Sequence, residues 1–284
     1  MKEPTTPRGW AAFLGKIWPH GFPIDVKTMA MEYSARFPDS ILAIKEAEVE
    51  NFEGALCPVR DKWAILYNPG ITSPGRVNFT LAHELGHYLV HRHKSPGGFE
   101  CGEQQLAGLD RNAARKAMEQ EADEFASHIL MPTHDFDRQI RRADFTFDLL
   151  ENCVSRYDVS RTAAALKWVD RTSECAAVVA ATNGFVLWNW RSKRARQRGI
   201  WFDRGSELPS DSWAASPAVV SPDTYGVRHD EGVWHDQEAV RELAVFAPRH
   251  EMTISVLVYE NDEPKDGFEN EIVSDSFDRF TKRN

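Results

Sequence analysis

From Phe79 to His91 the chain reads FTLAHELGHYLVH, and its apolar residues recur at helical period: Phe79, Ala82, Leu85 with Gly86, then Leu89 with Val90. A helix with that stripe must pack against a core. His83 and His87 then stand at the edge of the buried face. A fold for this chain must therefore bring something to two imidazoles held side by side.

Two histidines four residues apart on a helix lie on one face, about 6 Å apart along the axis, so both rings reach a single ion. His83-Glu84-Leu85-Gly86-His87 is the H-E-x-x-H pattern. Glu84 points to the side where a water on that ion would sit. Zinc makes such a water acidic near neutral pH, and an adjacent carboxylate takes its proton. The spacing suits metal-assisted hydrolysis of a peptide bond. A catalytic zinc site needs a third protein ligand. His91 continues the ladder but lies about 12 Å along the axis from His83, out of reach; it is expected behind the site or on the surface. His93 has the offset of a third histidine in H-E-x-x-H-x-x-G-x-x-H enzymes, which break the helix at the glycine. Val90 stands at that position here, and a β-branched residue resists positive φ.

A second periodic segment, NAARKAMEQEADEFASHIL, offers carboxylates instead. Its stripe is Ala114, Met118, Ala122, Phe125, Ala126 and Ile129, and Pro132 ends it. Glu119 and Asp123 share one face, whereas Glu121 is turned roughly 200° from Glu119. One of the pair would ligate the ion while the other accepts the N–H of a ligating histidine and fixes its tautomer.

Elsewhere the pattern predicts a helix within Pro23–Phe37. Two strands are expected in Phe52–Asn68 about a turn at Arg60-Asp61-Lys62, with Trp63–Asn68 as a candidate sheet edge for a substrate strand. A polar loop, KSPGGFECGEQQ, separates the two key helices. Further helices fill 136 to 172, with Ser160 as an expected N-cap. After Cys175 the runs CAAVVAA, GFVLWNW, GIWF and MTISVLVY read as strands, and Trp188, Trp190, Trp201, Trp213 and Trp234 as core or pocket. The expected fold is α+β: a helix-rich domain with a small sheet over 1–135, a helical segment over 136–174 and a β-rich domain over 175–284.

Composition narrows the setting. No run of eighteen apolar residues exists to span a membrane, and MKEPTTPRGW lacks the apolar stretch of a secretory signal. Cys57, Cys101, Cys153 and Cys175 have no CxxC spacing and fit reduced thiols of the cytoplasm. A net charge of −9 argues against broad nucleic-acid binding. The residual candidates for such binding are the helices of 153–169 and the stretch RSKRARQR (191–198), whose five basic residues are expected in a solvated loop.

Three segments together resemble the ImmA/IrrE family of bacterial metallopeptidases. FTLAHELGHYLVH, preceded by Arg76, resembles the family's active-site helix. MEQEADEFASHILMP resembles its E-x-E-A-x-x-F-A-x-x-L-L-M-P helix, and CVSRYDVSRTAAALKWV its helix-turn-helix-like segment. The similarity spans roughly residues 25 to 172. It implies a zincin-like, gluzincin-type peptidase of the cytoplasm with His83, His87 and Glu119 as ligands of one Zn2+ (Mn2+ the alternative). It further implies Glu84 as general base, Asp123 behind a ligating histidine, and a repressor-like transcription factor as protein substrate, with relief of mobile-element or stress genes as the outcome. IrrE-type members carry a GAF-like sensor domain after this region. The rival readings are a DNA-binding or ligand-sensing regulator with a silent metal site, and one half of a toxin–antitoxin pair.

Overall fold

The computed structural model describes residues 3–48, 52–95, 97, 99–102, 109–215, 223–247 and 252–260. Contacts divide the chain into two compact units. Of the described residues, one contains those up to Phe136 together with Ser155–Ser160, and the other contains Asp137–Val154 and those from Arg161 onward.

The first unit opens with helix α1 (Pro7–Ile17), capped by the Thr6 hydroxyl, and α2 (Val26–Ser34), capped by the Asp25 carboxylate. Val26, Met29, Ala30 and Tyr33 form the buried face of α2, as the spacing predicts. Strands β1 (Ile41–Glu46), β2 (Phe52–Val59) and β3 (Lys62–Tyr67) follow. The β2–β3 turn falls where the polar residues place it, with Arg60 at φ +57°. Trp63, Ile65 and Tyr67 alternate inward along β3. Helix α3 (Pro74–Gly86) lies against β2 and β3, and its axis continues into a π-helical turn, His87–His91. A short strand, β4 (Phe99–Gly102), precedes the long helix α4 (Leu109–Leu130).

The sheet order is β1-β3-β2-β4, with β1 parallel to β3 and the other pairs antiparallel. Two expectations need correction here. Trp63–Asn68 is no sheet edge, because β1 pairs with the far side of β3. The polar loop before α4 contains β4, which earns its place through backbone pairing with β2 rather than through apolar content.

Helices α5 (Thr133–Ile140) and α6 (Phe147–Tyr157) run across the division between the units, and α7 (Arg161–Arg171) belongs to the second. Ala164, Ala165, Trp168 and Val169 bury most of α7; its exposed Arg171 is paired with Asp137 and Arg161 with Glu151. Strands β5 (Ala176–Thr182), β6 (Phe185–Arg191), β7 (Val227–His229), β8 (Val240–Ala247) and β9 (Met252–Tyr259) form an antiparallel sheet ordered β6-β5-β9-β8-β7. GIWF is irregular rather than a strand, and Trp201 within it is 59% exposed. Trp213 and Trp234 are in the core. The basic stretch is not a loop: Ser192 caps a short helix, α8 (Lys193–Gln197), and Arg191, Arg196 and Arg198 turn to Trp201, a backbone carbonyl and Glu238. Cys57, Cys153 and Cys175 are not in disulfides. No helix of the described residues is long and apolar enough to cross a membrane.

Glu242 on β8 is wholly buried yet fully engaged. It accepts from the Trp213 and Ala214 backbone N–H groups, the Trp234 indole, the Ser255 hydroxyl and His229 Nε2. Burial pushes its pKa up, but the donors from His229, Ser255 and Trp234 outweigh it and hold the pKa below the usual 4.5. Its stabilising contribution is therefore complete above that value and drains away as the pH falls through the lower folded value. Glu242→Leu strands these donors and is expected to cost about 3–5 kcal/mol in urea unfolding of the intact chain. A variant as stable as the wild type, or one less stable at pH 3 than at pH 7 by the same margin as the wild type, would contradict this.

Candidate metal centre

The site depends on a close approach of two helices. Gly86, on α3 between the two histidines, faces α4 so closely that an added Cβ would lie 3.2 Å from the Ala122 Cα and 3.1 Å from the Phe125 ring. Ala122, Phe125, Ala126 and Ile129 are buried along this part of α4, the C-terminal half of the stripe that the sequence displays. Each residue of a helix advances about 100°. With Ala122 on the line of contact, Glu119 stands about 60° to one side and projects to the histidines.

Three atoms converge there. His83 Nε2 and His87 Nε2 are 3.0 Å apart, and Glu119 Oε2 is 3.2 Å from the first and 3.4 Å from the second. His83, His87 and Glu119 form the one group among the described residues with the composition and closeness to hold a metal ion. The donor set fits zinc. Ligands about 2.0–2.1 Å from a tetrahedral ion are about 3.3–3.4 Å from one another, so these three atoms match one face of the tetrahedron. Two imidazole lone pairs facing each other at 3.0 Å also demand a cation or a proton between them. Glu119 Oε1 is buried without a hydrogen bond, with Arg115 Nε 3.9 Å away.

The electrostatics keep the donors in their ligating forms. Burial pushes the His87 pKa down to about 4, against the opposing pull of Glu119, so the ring is neutral at pH 7. Burial raises the Glu119 pKa, but contact with His83 and His87 lowers it by more and holds it below the usual carboxylate range. His83 Nδ1 is 2.8 Å from Asp123 Oδ1. An ionised carboxylate only accepts, so Nδ1 carries the proton and Nε2 offers its lone pair to the site.

Glu84 is wholly buried one residue after His83. Strand β2 makes room for it at Gly54, where a Cβ would meet Glu84 Oε1 at 2.8 Å and Thr80 Cγ2 at 2.5 Å. Arg76, at the start of α3, donates from Nε to Glu53 of β2 at 2.9 Å and ties the same strand to the same helix. His93 is exposed and stays apart, and the helix passes Val90 without a positive φ. His91 takes the first of its two expected places, behind the site, whereas the parts played by Glu121 and Gly54 were not foreseen from the sequence. His91 is wholly buried behind His87, and Glu121 reaches it. Gly54 carries no local signal; only its pairing in β2 brings it to Glu84.

Gly86→Ala tests the helix contact. Crowding of about 1–3 kcal/mol outweighs the gain in helix propensity of about 1 kcal/mol. The expected outcome is a net loss of about 1 kcal/mol in unfolding together with weaker zinc binding in a chelator competition. A stabilised variant with unchanged zinc affinity would refute the contact's role.

Comparison with known proteins agrees with this geometry. No curated protein matches the chain in sequence. Among solved structures it is similar in fold to a Mycobacterium tuberculosis transcriptional regulator, with a TM-score of 0.55 and 12% identity over 89% of this chain and 75% of that one. Residues 42–169, which hold the three converging donors, match the IrrE N-terminal-like domain of the peptidase M78 family. That segment of the chain is a member of the ImmA/IrrE peptidase family.

Proposed function

We propose that this chain is a cytoplasmic zinc-dependent endopeptidase that cleaves a repressor-like transcription factor and so relieves repression of mobile-element or stress genes. The observation that carries the reading is the triangle of His83 Nε2, His87 Nε2 and Glu119 Oε2, all within 3.4 Å, beside a buried glutamate on the same helix. Zinc bound there supplies Lewis acidity toward the scissile carbonyl and toward a water (Mn2+ is the alternative ion). His83, His87 and Glu119 hold the ion. Glu84 takes the proton of the attacking water and passes it to the departing amine. Asp123 fixes the His83 tautomer, so that a ligand lone pair faces the ion throughout. The family membership of residues 42–169 supports the peptidase class.

A second reading has one observation in its favour. The solved structure of similar fold is named a transcriptional regulator, and on that reading this chain is a regulator whose ion is structural. Glu84 speaks for the enzyme, since a structural site has no use for a base at that position.

Glu84→Gln separates the two. The variant is expected to bind zinc as the wild type does while cleavage falls by about 10²–10⁴-fold. The assay is co-expression with a repressor-like candidate from a neighbouring gene, followed by intact-mass analysis of that candidate. A cut made equally well by the variant would refute the role of Glu84. Unchanged regulatory output in cells carrying the variant would favour the regulator.

A further inference from the structure

We infer that His91 and Glu121 form a positioning relay that selects the tautomer of His87 and so aims its lone pair at the metal centre; the inference rests on the metal-centre reading above. His91 Nε2 is 2.7 Å from Glu121 Oε2, and His91 Nδ1 is 3.1 Å from His87 Nδ1. The chain of protons follows from donor chemistry alone. An ionised carboxylate accepts and never donates, so the proton of neutral His91 sits on Nε2 and is donated to Glu121. The Nδ1 of His91 is then an acceptor. A hydrogen bond between the two Nδ1 atoms requires His87 to be its donor, with its proton on Nδ1. The Nε2 of His87 is left with a lone pair, and that atom is the one 3.0 Å from His83 Nε2 and 3.4 Å from Glu119 Oε2.

The arrangement has a physical reason. His83 is backed directly by Asp123, but His87 lies deeper: it is wholly buried, as is His91. A carboxylate placed against His87 itself would have to be buried with it, at a cost of several kcal/mol for an ion taken out of water. The second imidazole carries the same instruction outward. Glu121 at its far end keeps 41% of its side chain exposed, where its charge is cheap to hold. The π-helical turn His87–His91 contains both rings, and such turns recur at functional sites. Helix α4 serves both histidines from two flanks of one contact. With Ala122 against Gly86, Glu119 lies about 60° to one side and Glu121 about 100° to the other.

The test measures zinc affinity by chelator competition, with zinc as the only added ligand, on the full chain and five variants. Glu119→Ala is the control for the metal centre. His91→Phe fills the space but removes the acceptor, and is expected to lower affinity 10–100-fold, as loss of such supporting hydrogen bonds does elsewhere. His91→Gln restores a carbonyl oxygen opposite His87 Nδ1 and is expected to recover most of the loss. Glu121→Leu, at a partly exposed position, lowers affinity without disturbing the core. The double variant His91→Phe/Glu121→Leu binds no more weakly than His91→Phe alone, because both act through one chain. Melting in the presence of chelator shows that each variant is folded; if His91→Phe is not, Glu121→Leu decides. Wild-type affinity in Glu121→Leu and His91→Phe, or losses that multiply in the double variant, overturn the relay while the metal centre stands. A wild type that takes up no zinc, or a Glu119→Ala variant that binds as well, overturns the metal centre and the relay with it.

Discussion

The approach of α4 to α3 at Gly86 is the contact on which the rest of the first unit depends. A metal centre split between two helices exists only if the helices are close enough for short side chains to meet. The missing Cβ at Gly86 provides that closeness between the two histidines, one residue before His87. Burial of Ala122, Phe125, Ala126 and Ile129 then holds α4 in one rotation, which sets Glu119 and Asp123 on one flank and Glu121 on the other. Hydrophobic packing fixes the helices; the helices fix the donors.

The charged groups of the centre are costly to hold without an ion. Glu119 keeps its charge despite burial because of the two imidazoles beside it, and His87 gives up its basicity because burial outweighs the pull of Glu119. Each histidine has its outer nitrogen occupied, His83 by Asp123 and His87 by His91. Every proton in the cluster is thereby assigned to the side away from the three converging atoms. Such an arrangement favours a cation in the middle over any rearrangement of its own hydrogen bonds.

What the sequence discloses follows from how local the determining interaction is. His83, Glu84 and His87 lie within five residues on one helical period, so their common face is readable from spacing. Glu119 and Asp123 are readable as a pair, and family resemblance supplied the choice between them. The pairing of His91 with Glu121 was not readable, because it depends on the crossing of two helices rather than on either period. Strand β8 escaped notice for a related reason. Its run VRELAVFA is broken by Arg241 and Glu242, and the charge that disguises it is a buried one with five donors around it. Strands β1 and β4 hold their places through backbone pairing with β3 and β2, and composition says little about that. GIWF erred in the other direction: Asn189 and Arg191 of β6 donate from their side chains to its Phe202 and Ile200 carbonyls, and without a backbone ladder the run stays irregular.

X-ray absorption at the zinc edge of the loaded protein tests the central claim most directly. A shell of nitrogen and oxygen neighbours near 2.0–2.1 Å, with outer scattering from two imidazoles and no sulfur, is the predicted result, and replacing Glu119 by Ala should change that shell. Sulfur in the shell, a single imidazole, or a spectrum indifferent to Glu119 would contradict it.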